Sequence, residues 1–120
     1  MAKSLLLISR QAPWSGPGAR EALDIVLAGG AFDLPIGVLF LDDGVLQLAP
    51  GQQPAALQLK DLGANLQALS LFGVDELFAC HVSLAQRGLD PAALNLDEVE
   101  LLSAPQLAGI IDRYDQVITL

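Results

Sequence analysis

Five short apolar runs, separated by segments with helical spacing, constrain the fold of this chain more than any other feature. The strands predicted from these runs are residues 4–9, 35–41, 77–82, 98–102 and 116–120. The helices predicted between them are residues 19–28, 55–72, 83–87 and 104–114. Strands that alternate with helices form a parallel sheet with helices on both faces. The sequence therefore predicts a single domain over residues 1–120, an α/β protein with three layers (α/β/α) and a five-stranded parallel sheet.

Capping residues predict where these helices begin and end. Ser83 and Gln86 form an S-x-x-Q capping box that would start a short helix directly after the third strand. Gly88 would end that helix in a left-handed conformation. Ser103 is the expected N-cap of the last helix, and the pair Gly29-Gly30 is expected to end the first one.

Composition limits the classes of function. The chain has 14 acidic and 6 basic residues and a net charge of -8, which argues against direct nucleic-acid binding because such binding requires a basic face. One cysteine and one histidine cannot form a disulfide or a zinc-type cluster, so we expect no metal and no cofactor. The short apolar runs, and a start without a secretory leader, predict a cytoplasmic protein that does not span a membrane.

The balance of apolar and charged residues predicts association. Hydrophobic residues make up 52% of the chain and charged residues only 17%, whereas about 25% charged is typical. The helix predicted over residues 55–72 is also apolar on more than one face. Part of this apolar surface is expected to be exposed, and large exposed apolar patches mark contacts with protein partners.

The candidate functional site is the stretch around Cys80 and His81, the only cysteine and histidine in the chain. A thiol at the carboxyl end of a parallel strand, where a helix begins, can act as a nucleophile. Alternatively, Cys80 is a small apolar core residue. Neighbouring strand side chains point to opposite faces, so this pair is not a catalytic dyad, and His81 is expected in the core or at an interface. We expect Cys80 to share a face with Phe78 and Val82, to be buried against a helix and to react slowly with alkylating agents.

Acidic residues follow the second predicted strand at the same edge of the sheet. The pair Asp42-Asp43 could hold a divalent cation, but Asp-Asp-Gly is more typical of a turn with a helix cap. Ser83 and Arg87, in the helix after Cys80, are further candidates for the edge of a site or for an interface, as are the two aspartates and His81.

A glycine-rich segment invites comparison with phosphate-binding loops. The G-P-G at residues 16–18 precedes a helix, but Glu21 stands where the third glycine of G-x-G-x-x-G would be. A carboxylate in the first helical turn repels phosphate. A nucleotide- or flavin-binding module of flavodoxin-like shape is therefore disfavoured.

Six short motifs follow one another in the order found in a known family. They are R-E-A-L-D at residues 20–24, D-D-G-V at 42–45, P-G-Q at 50–52, S-L-F-G at 70–73, C-x-x-S-L-x-x-R-G-L at 80–89 and Y-D-x-V-I at 114–118. With these motifs the whole chain resembles the TusC/DsrF branch of the DsrE/DsrF family of sulfur-relay proteins. The resemblance implies the DsrE/DsrF-like fold, a five-stranded parallel sheet between helical layers with a flavodoxin-like shape.

The resemblance also implies a function and partners. Members of this branch are similar to subunits of a TusB–TusC–TusD complex, a dimer of heterotrimers that passes persulfide sulfur toward 2-thiolation of the wobble uridine of tRNA. The related DsrEFH complex acts in sulfur oxidation. The expected partners are TusB-like and TusD-like chains, with self-association when this chain is made alone.

The role of Cys80 is the point on which the alternatives differ. In this family the cysteine that carries the persulfide is generally assigned to the TusD/DsrE subunit, in a similar strand-end context. The resemblance thus implies a structural or accessory subunit in which Cys80 is inert. The alternative is a sulfurtransferase proper, in which Cys80 is the persulfide-bearing nucleophile.

Overall fold

Strands and helices alternate along the chain, as the apolar runs predict. The computed structural model describes residues 4–12, 18–31, 35–48, 68–69, 71, 73–74, 76–94 and 99–120. The strands are β1 (Leu5–Ser9), β2 (Ile36–Phe40), β3 (Glu76–Cys80), β4 (Val99–Leu102) and β5 (Gln116–Thr119). The helices are α1 (Gly18–Ala31), α2 (His81–Gln86) and α3 (Ala104–Arg113), with 3-10 helices at Asp42–Leu48 and Pro91–Ala93. The helix predicted over residues 55–72 falls, apart from residues 68, 69 and 71, outside the described residues.

All five strands join one parallel sheet in the order β4-β3-β2-β1-β5. The chain proceeds outward from β1 to β4, and β5 then returns to the other side of β1. This confirms the predicted five-stranded parallel sheet. Because the strands are parallel, their carboxyl ends share one edge, which is where the candidate residues of the second and third strands meet.

Both faces of the sheet are covered, so the fold has three layers. One face presents Leu7, Val38 and Ala79 to a core that also contains Val26 of α1 and Leu84 of α2. The residues between them on the strands point the other way and pack against α3; they are Leu6, Ile8, Leu39, Phe78 and Leu102, which contact Ile110 and Tyr114. This alternation is the period-2 geometry of strands. Of the predicted inward residues of the last helix, Ile110 is buried, while Leu107 and Ile111 are partly buried against the same core.

The predicted helix ends are correct in one case and wrong in another. The backbone N–H of Ser103 donates to Gln106 Oε1 at 2.8 Å, as expected at the start of α3. In contrast, α1 continues through Gly29-Gly30 to Ala31, so the prediction that these glycines end it is wrong. Glycine is permitted in a helix at a cost of about 1 kcal/mol relative to alanine. Both glycines are buried within the helix.

At the amino edge of the sheet, Tyr114 closes the core beside α3. Its hydroxyl donates to Glu76 Oε1 at 2.8 Å, and its phenol lies so close to Gly37 that a Cβ there would overlap it. Burial, together with the hydrogen bond to Glu76, raises the pKa of Tyr114 well above its usual range. A tyrosine, a carboxylate and a glycine therefore lock the ends of β2 and β3 to the end of α3.

The strand β5 is an exposed edge of the sheet. It is bonded to β1 along one side only, and all four of its residues are exposed. Val117 and Ile118, which point to opposite faces of the sheet, are each 39% exposed.

In the part of the chain that the structure describes, no helix is long and apolar enough to cross a membrane.

Candidate functional site

The junction between β3 and α2 lies two residues before the predicted one, and the N-cap lies three residues before the predicted N-cap. β3 ends at Cys80, and α2 begins at His81, so Ser83 is inside the helix and the predicted capping box is wrong. Cys80 is itself the N-cap: it has extended backbone angles, and its Sγ accepts the backbone N–H of Ser83 at 3.5 Å. Sulfur is a weak acceptor, and N-caps are normally Ser, Thr, Asp or Asn. Because serine is a preferred N-cap and cysteine is not, the S-x-x-Q pattern predicted Ser83 as the N-cap instead of Cys80.

The burial of Cys80 agrees with the prediction, but its surroundings differ in part. Cys80 is 5% exposed, and the alternation of strand residues places it on the same face of β3 as Phe78. Val82 does not share this face, because it lies in α2, and it is 47% exposed. His81 is also exposed, as the first residue of α2, so it is not a core histidine, and its place at an interface stays a prediction. The early start of the helix turns both residues outward.

Asp42 holds the carboxyl ends of β1 and β3 to that of β2. It begins the 3-10 helix with φ of 52°, a left-handed conformation that Asp adopts more readily than most residues. Its backbone N–H donates to Ser83 Oγ at 3.0 Å. Its Oδ2 accepts hydrogen bonds from Arg10, at 2.9 Å from Nε and 2.7 Å from Nη2.

Asp43 forms an ion pair with Arg87 at the C-terminal end of α2, as Asp42 does with Arg10 after β1. Its Oδ1 accepts from Nε and Nη2 of Arg87 at 3.0 and 2.9 Å. Arg87 is the C-cap of α2, and its Nη1 donates to the carbonyl oxygen of Ser83 at 3.1 Å. The two aspartates thus pair with arginines, and the described residues contain no group of three or more His, Cys, Asp or Glu side chains that could hold a metal ion. The D-D-G segment forms the first turn of the 3-10 helix, as the turn interpretation predicts, and its two carboxylates accept from arginines.

A buried polar contact behind this turn was not predicted from the sequence. Gln47, in the 3-10 helix, is buried and donates through Nε2 to Ser9 Oγ at 2.7 Å and to the Gln11 carbonyl at 3.1 Å. Gly44 lies directly on the Ser9 carbonyl, where no Cβ would fit. The sequence feature that could have predicted this contact is a single glutamine in the otherwise apolar turn V-L-Q-L, directly after D-D-G.

The carboxyl edge of the sheet is therefore a connected structure. Four of the candidate residues (Asp42, Asp43, Ser83 and Arg87) form one network of hydrogen bonds and ion pairs, which also includes Arg10. Cys80 joins it through the N–H of Ser83, whereas His81 lies on the surface. Most of these groups are paired with each other. The thiol is the group in this network with nucleophilic chemistry, and it is covered.

The fold and the site define a three-layer α/β domain with a parallel sheet, in which a cysteine ends β3 and a helix starts directly behind it. The profile of the DsrE/DsrF-like family matches residues 3–120, and the chain belongs to this family. Its relatives place it in the TusC/DsrF branch. It is 66% identical over 120 residues to the "Protein TusC homolog" of Pseudomonas aeruginosa, with both chains covered completely. It is 37% identical over 116 residues to "Protein TusC" of Klebsiella pneumoniae strain 342, covering 97% of this chain and 98% of that one.

Solved structures agree on the fold. The ychN protein of E. coli superposes with a TM-score of 0.80 at 22% identity, with both chains fully covered. MTH1491 of Methanobacterium thermoautotrophicum, described as a protein of unknown function, superposes with a TM-score of 0.63 at 16% identity over the whole of both chains. At these identities the likeness concerns the fold alone.

Proposed function

We propose that this protein is a subunit of a TusBCD-like sulfur-relay complex that passes persulfide sulfur toward 2-thiolation of the wobble uridine of tRNA, and that it is a structural or accessory subunit. The relay is supported by full-length similarity to proteins named TusC and by membership of the DsrE/DsrF-like family. The accessory role is supported by one observation, the enclosed thiol of Cys80, which is 5% exposed and serves as the N-cap of α2.

Persulfide transfer makes demands that this thiol does not meet in its observed position. A thiolate must attack the terminal sulfur of a donor persulfide, RS–SH. A new S–S bond then forms to Cys80, and the donor leaves as the thiolate RS⁻, which takes up a proton. Attack requires the donor sulfur to approach Sγ closely. The buried side chain, bonded to the N–H of Ser83, leaves no room for this approach.

The partners in this proposal are TusB-like and TusD-like chains, in a dimer of heterotrimers in the cytoplasm. Support comes from β5, an edge strand with apolar residues exposed on both faces, and from the low content of charged residues. When the chain is made alone, it should self-associate. Sedimentation at micromolar concentration tests this: a single monomeric species, with no TusB-like or TusD-like chain co-purifying from cell extract, would contradict the proposal.

Complementation tests the pathway and the role of Cys80 together. A strain that lacks the gene should lose 2-thiouridine from its tRNA, measured by mass spectrometry of nucleosides. Both the wild-type gene and a Cys80→Ser variant should restore it. If the deletion leaves 2-thiouridine unchanged, the protein serves another pathway, with sulfur oxidation as the alternative.

A sulfurtransferase with Cys80 as nucleophile is the second candidate, because this thiol lies at the carboxyl end of a parallel strand where a helix starts. The purified chain is incubated with a loaded persulfide donor and weighed intact. The accessory role predicts no gain of sulfur on Cys80. A stoichiometric gain of one sulfur atom, absent in Cys80→Ser, together with failure of that variant to restore thiolation, would establish the sulfurtransferase instead.

A further inference from the structure

We propose that one buried water molecule occupies a small cavity between α1 and the sheet, where it accepts a hydrogen bond from the hydroxyl of Ser9 and joins β1 to the 3-10 helix of the candidate site. Two features of the same region support this water site. One is a cavity of the size of a single water molecule, and the other is a buried hydroxyl that lines it. Both concern the support of the carboxyl edge of the sheet and are independent of the proposed sulfur relay.

Ser9 brings a polar group into the apolar core beneath α1. In β1 (L-L-L-I-S) the side chains of Leu7 and Ser9 point to the same face, because alternate strand residues do. Leu7 packs on this face with Val26 of α1. Ser9 is only 2% exposed, so its hydroxyl is shielded from bulk water and requires hydrogen-bond partners inside the protein.

Gln47 uses the hydroxyl of Ser9 as an acceptor only. The amide nitrogen Nε2 of Gln47 donates to Ser9 Oγ at 2.7 Å and to the carbonyl oxygen of Gln11 at 3.1 Å. The second bond identifies this atom as the nitrogen, because a carbonyl oxygen cannot donate to it. The hydrogen of the Ser9 hydroxyl must therefore point elsewhere. Among the described residues, the structure shows no acceptor for it.

A cavity lies beside this hydroxyl. Ser9 and Gln47 form its polar end, and six apolar side chains of α1, β1 and β2 form its walls. The apolar residues are Leu7, Ala22, Leu23, Val26, Val38 and Phe40. The cavity has a volume of about 10 Å³, and a single water molecule needs about 10–15 Å³ on the same scale. The cavity is therefore suited to one water molecule and is too small for a substrate or cofactor.

A water molecule in this cavity has the two polar partners that a buried water requires. It accepts the hydrogen of Ser9, and it donates to the side-chain oxygen of Gln47, which has two lone pairs and so can keep another partner as well. An entirely apolar cavity would stay dry, and the two polar side chains are what favours hydration. The water thus adds a second link between β1 and the 3-10 helix that carries Asp42 and Asp43, beside the direct bond from Gln47 to Ser9.

The cavity can be filled from α1 without changing either polar residue. Ala22 lines the cavity and is 1% exposed, so Ala22→Val adds two carbon atoms at its wall. Ala28→Val is the matched control, because Ala28 is exposed on the same helix and both variants replace alanine by valine. The readouts are high-resolution crystal structures and, in solution, NMR cross-relaxation between water protons and methyl groups of the protein.

In the wild type, the electron density should show one water within about 3.2 Å of Ser9 Oγ. Water protons should give cross-peaks with the methyl groups of Leu7 and Val26, which line the cavity. Both signals should be lost in Ala22→Val and kept in Ala28→Val. The Ser9 hydroxyl exchanges its hydrogen with solvent and can itself produce cross-peaks. Because Ala22→Val keeps this hydroxyl, loss of the cross-peaks in that variant identifies the water.

A wild-type crystal structure without a water beside Ser9 Oγ would overturn the proposal. Equal cross-peaks in the wild type and in an Ala22→Val protein whose valine fills the cavity would also overturn it, because the Ser9 hydroxyl alone would then explain them. If Ala22→Val does not fold, Ser9→Ala replaces it. This variant removes the donor and should lose the water, and a water that stays at full occupancy would show that Ser9 does not hold it.

Discussion

Replacing Gly44 by alanine is the most direct test of how the candidate site is assembled. Gly44 lies in the D-D-G-V turn, between the aspartates and the buried Gln47. A Cβ at this position would overlap the backbone carbonyl of Ser9 and approach the Cα of Arg10 to 3.2 Å. The obstacle is the backbone of a central strand, so no side-chain rotation can relieve it.

The cost can be estimated from two contributions. Forcing extra atoms into a packed region typically costs about 1–3 kcal/mol. Moving the turn away from β1 also weakens the buried hydrogen bond from Gln47 to Ser9, which contributes about 1 kcal/mol. We therefore expect Gly44→Ala to lower the free energy of unfolding by about 2–4 kcal/mol. For a domain of this size that corresponds to a decrease in Tm of roughly 8–16 °C.

The assay is urea and thermal unfolding followed by circular dichroism, with Gly109→Ala as the control. Gly109 is exposed within α3, and a Cβ there meets nothing within 4 Å. The same substitution should therefore stabilise the protein at position 109, by about 0.5–1 kcal/mol. A Gly44→Ala protein within about 0.5 kcal/mol of wild type would refute the close approach of the turn to β1.

Three further substitutions probe the polar contacts by urea unfolding. Tyr114→Phe should cost about 1 kcal/mol at neutral pH through the lost bond to Glu76. Because the pKa of Tyr114 is raised in the folded state, wild-type stability should fall as the pH rises above about 10, where the unfolded chain ionises first, and this fall should be smaller in Tyr114→Phe. Ser83→Ala should cost about 1–2 kcal/mol, because the Asp42 N–H loses its acceptor; an unchanged stability would contradict that bond. Cys80→Ser should fold with a change of at most about 1 kcal/mol, because serine is a good N-cap, and an unfolded variant would contradict the observed cap.

Local patterns in the sequence determined the elements of the fold. The alternation of apolar runs with helical spacing predicts the parallel sheet, and Gly88 and Ser103 predict one end each of α2 and α3. These features depend on interactions between residues that are close in the chain, such as side-chain periodicity, capping and the left-handed freedom of glycine. Such interactions can be identified without knowing which elements meet.

The tertiary structure decided how the candidate site is connected. Asp42 pairs with Arg10, 32 positions away in the sequence, and Asp43 pairs with Arg87, 44 positions away. These residues meet because the strand order places the carboxyl ends of β1, β2 and β3 side by side. Capping rules favoured Ser83 over Cys80, and only the packed structure shows that the thiol ends β3 and caps α2. Pairings between residues so far apart in the sequence depend on which strands are neighbours in the sheet. The packing of the whole chain sets this strand order, and local spacing carries no information about it.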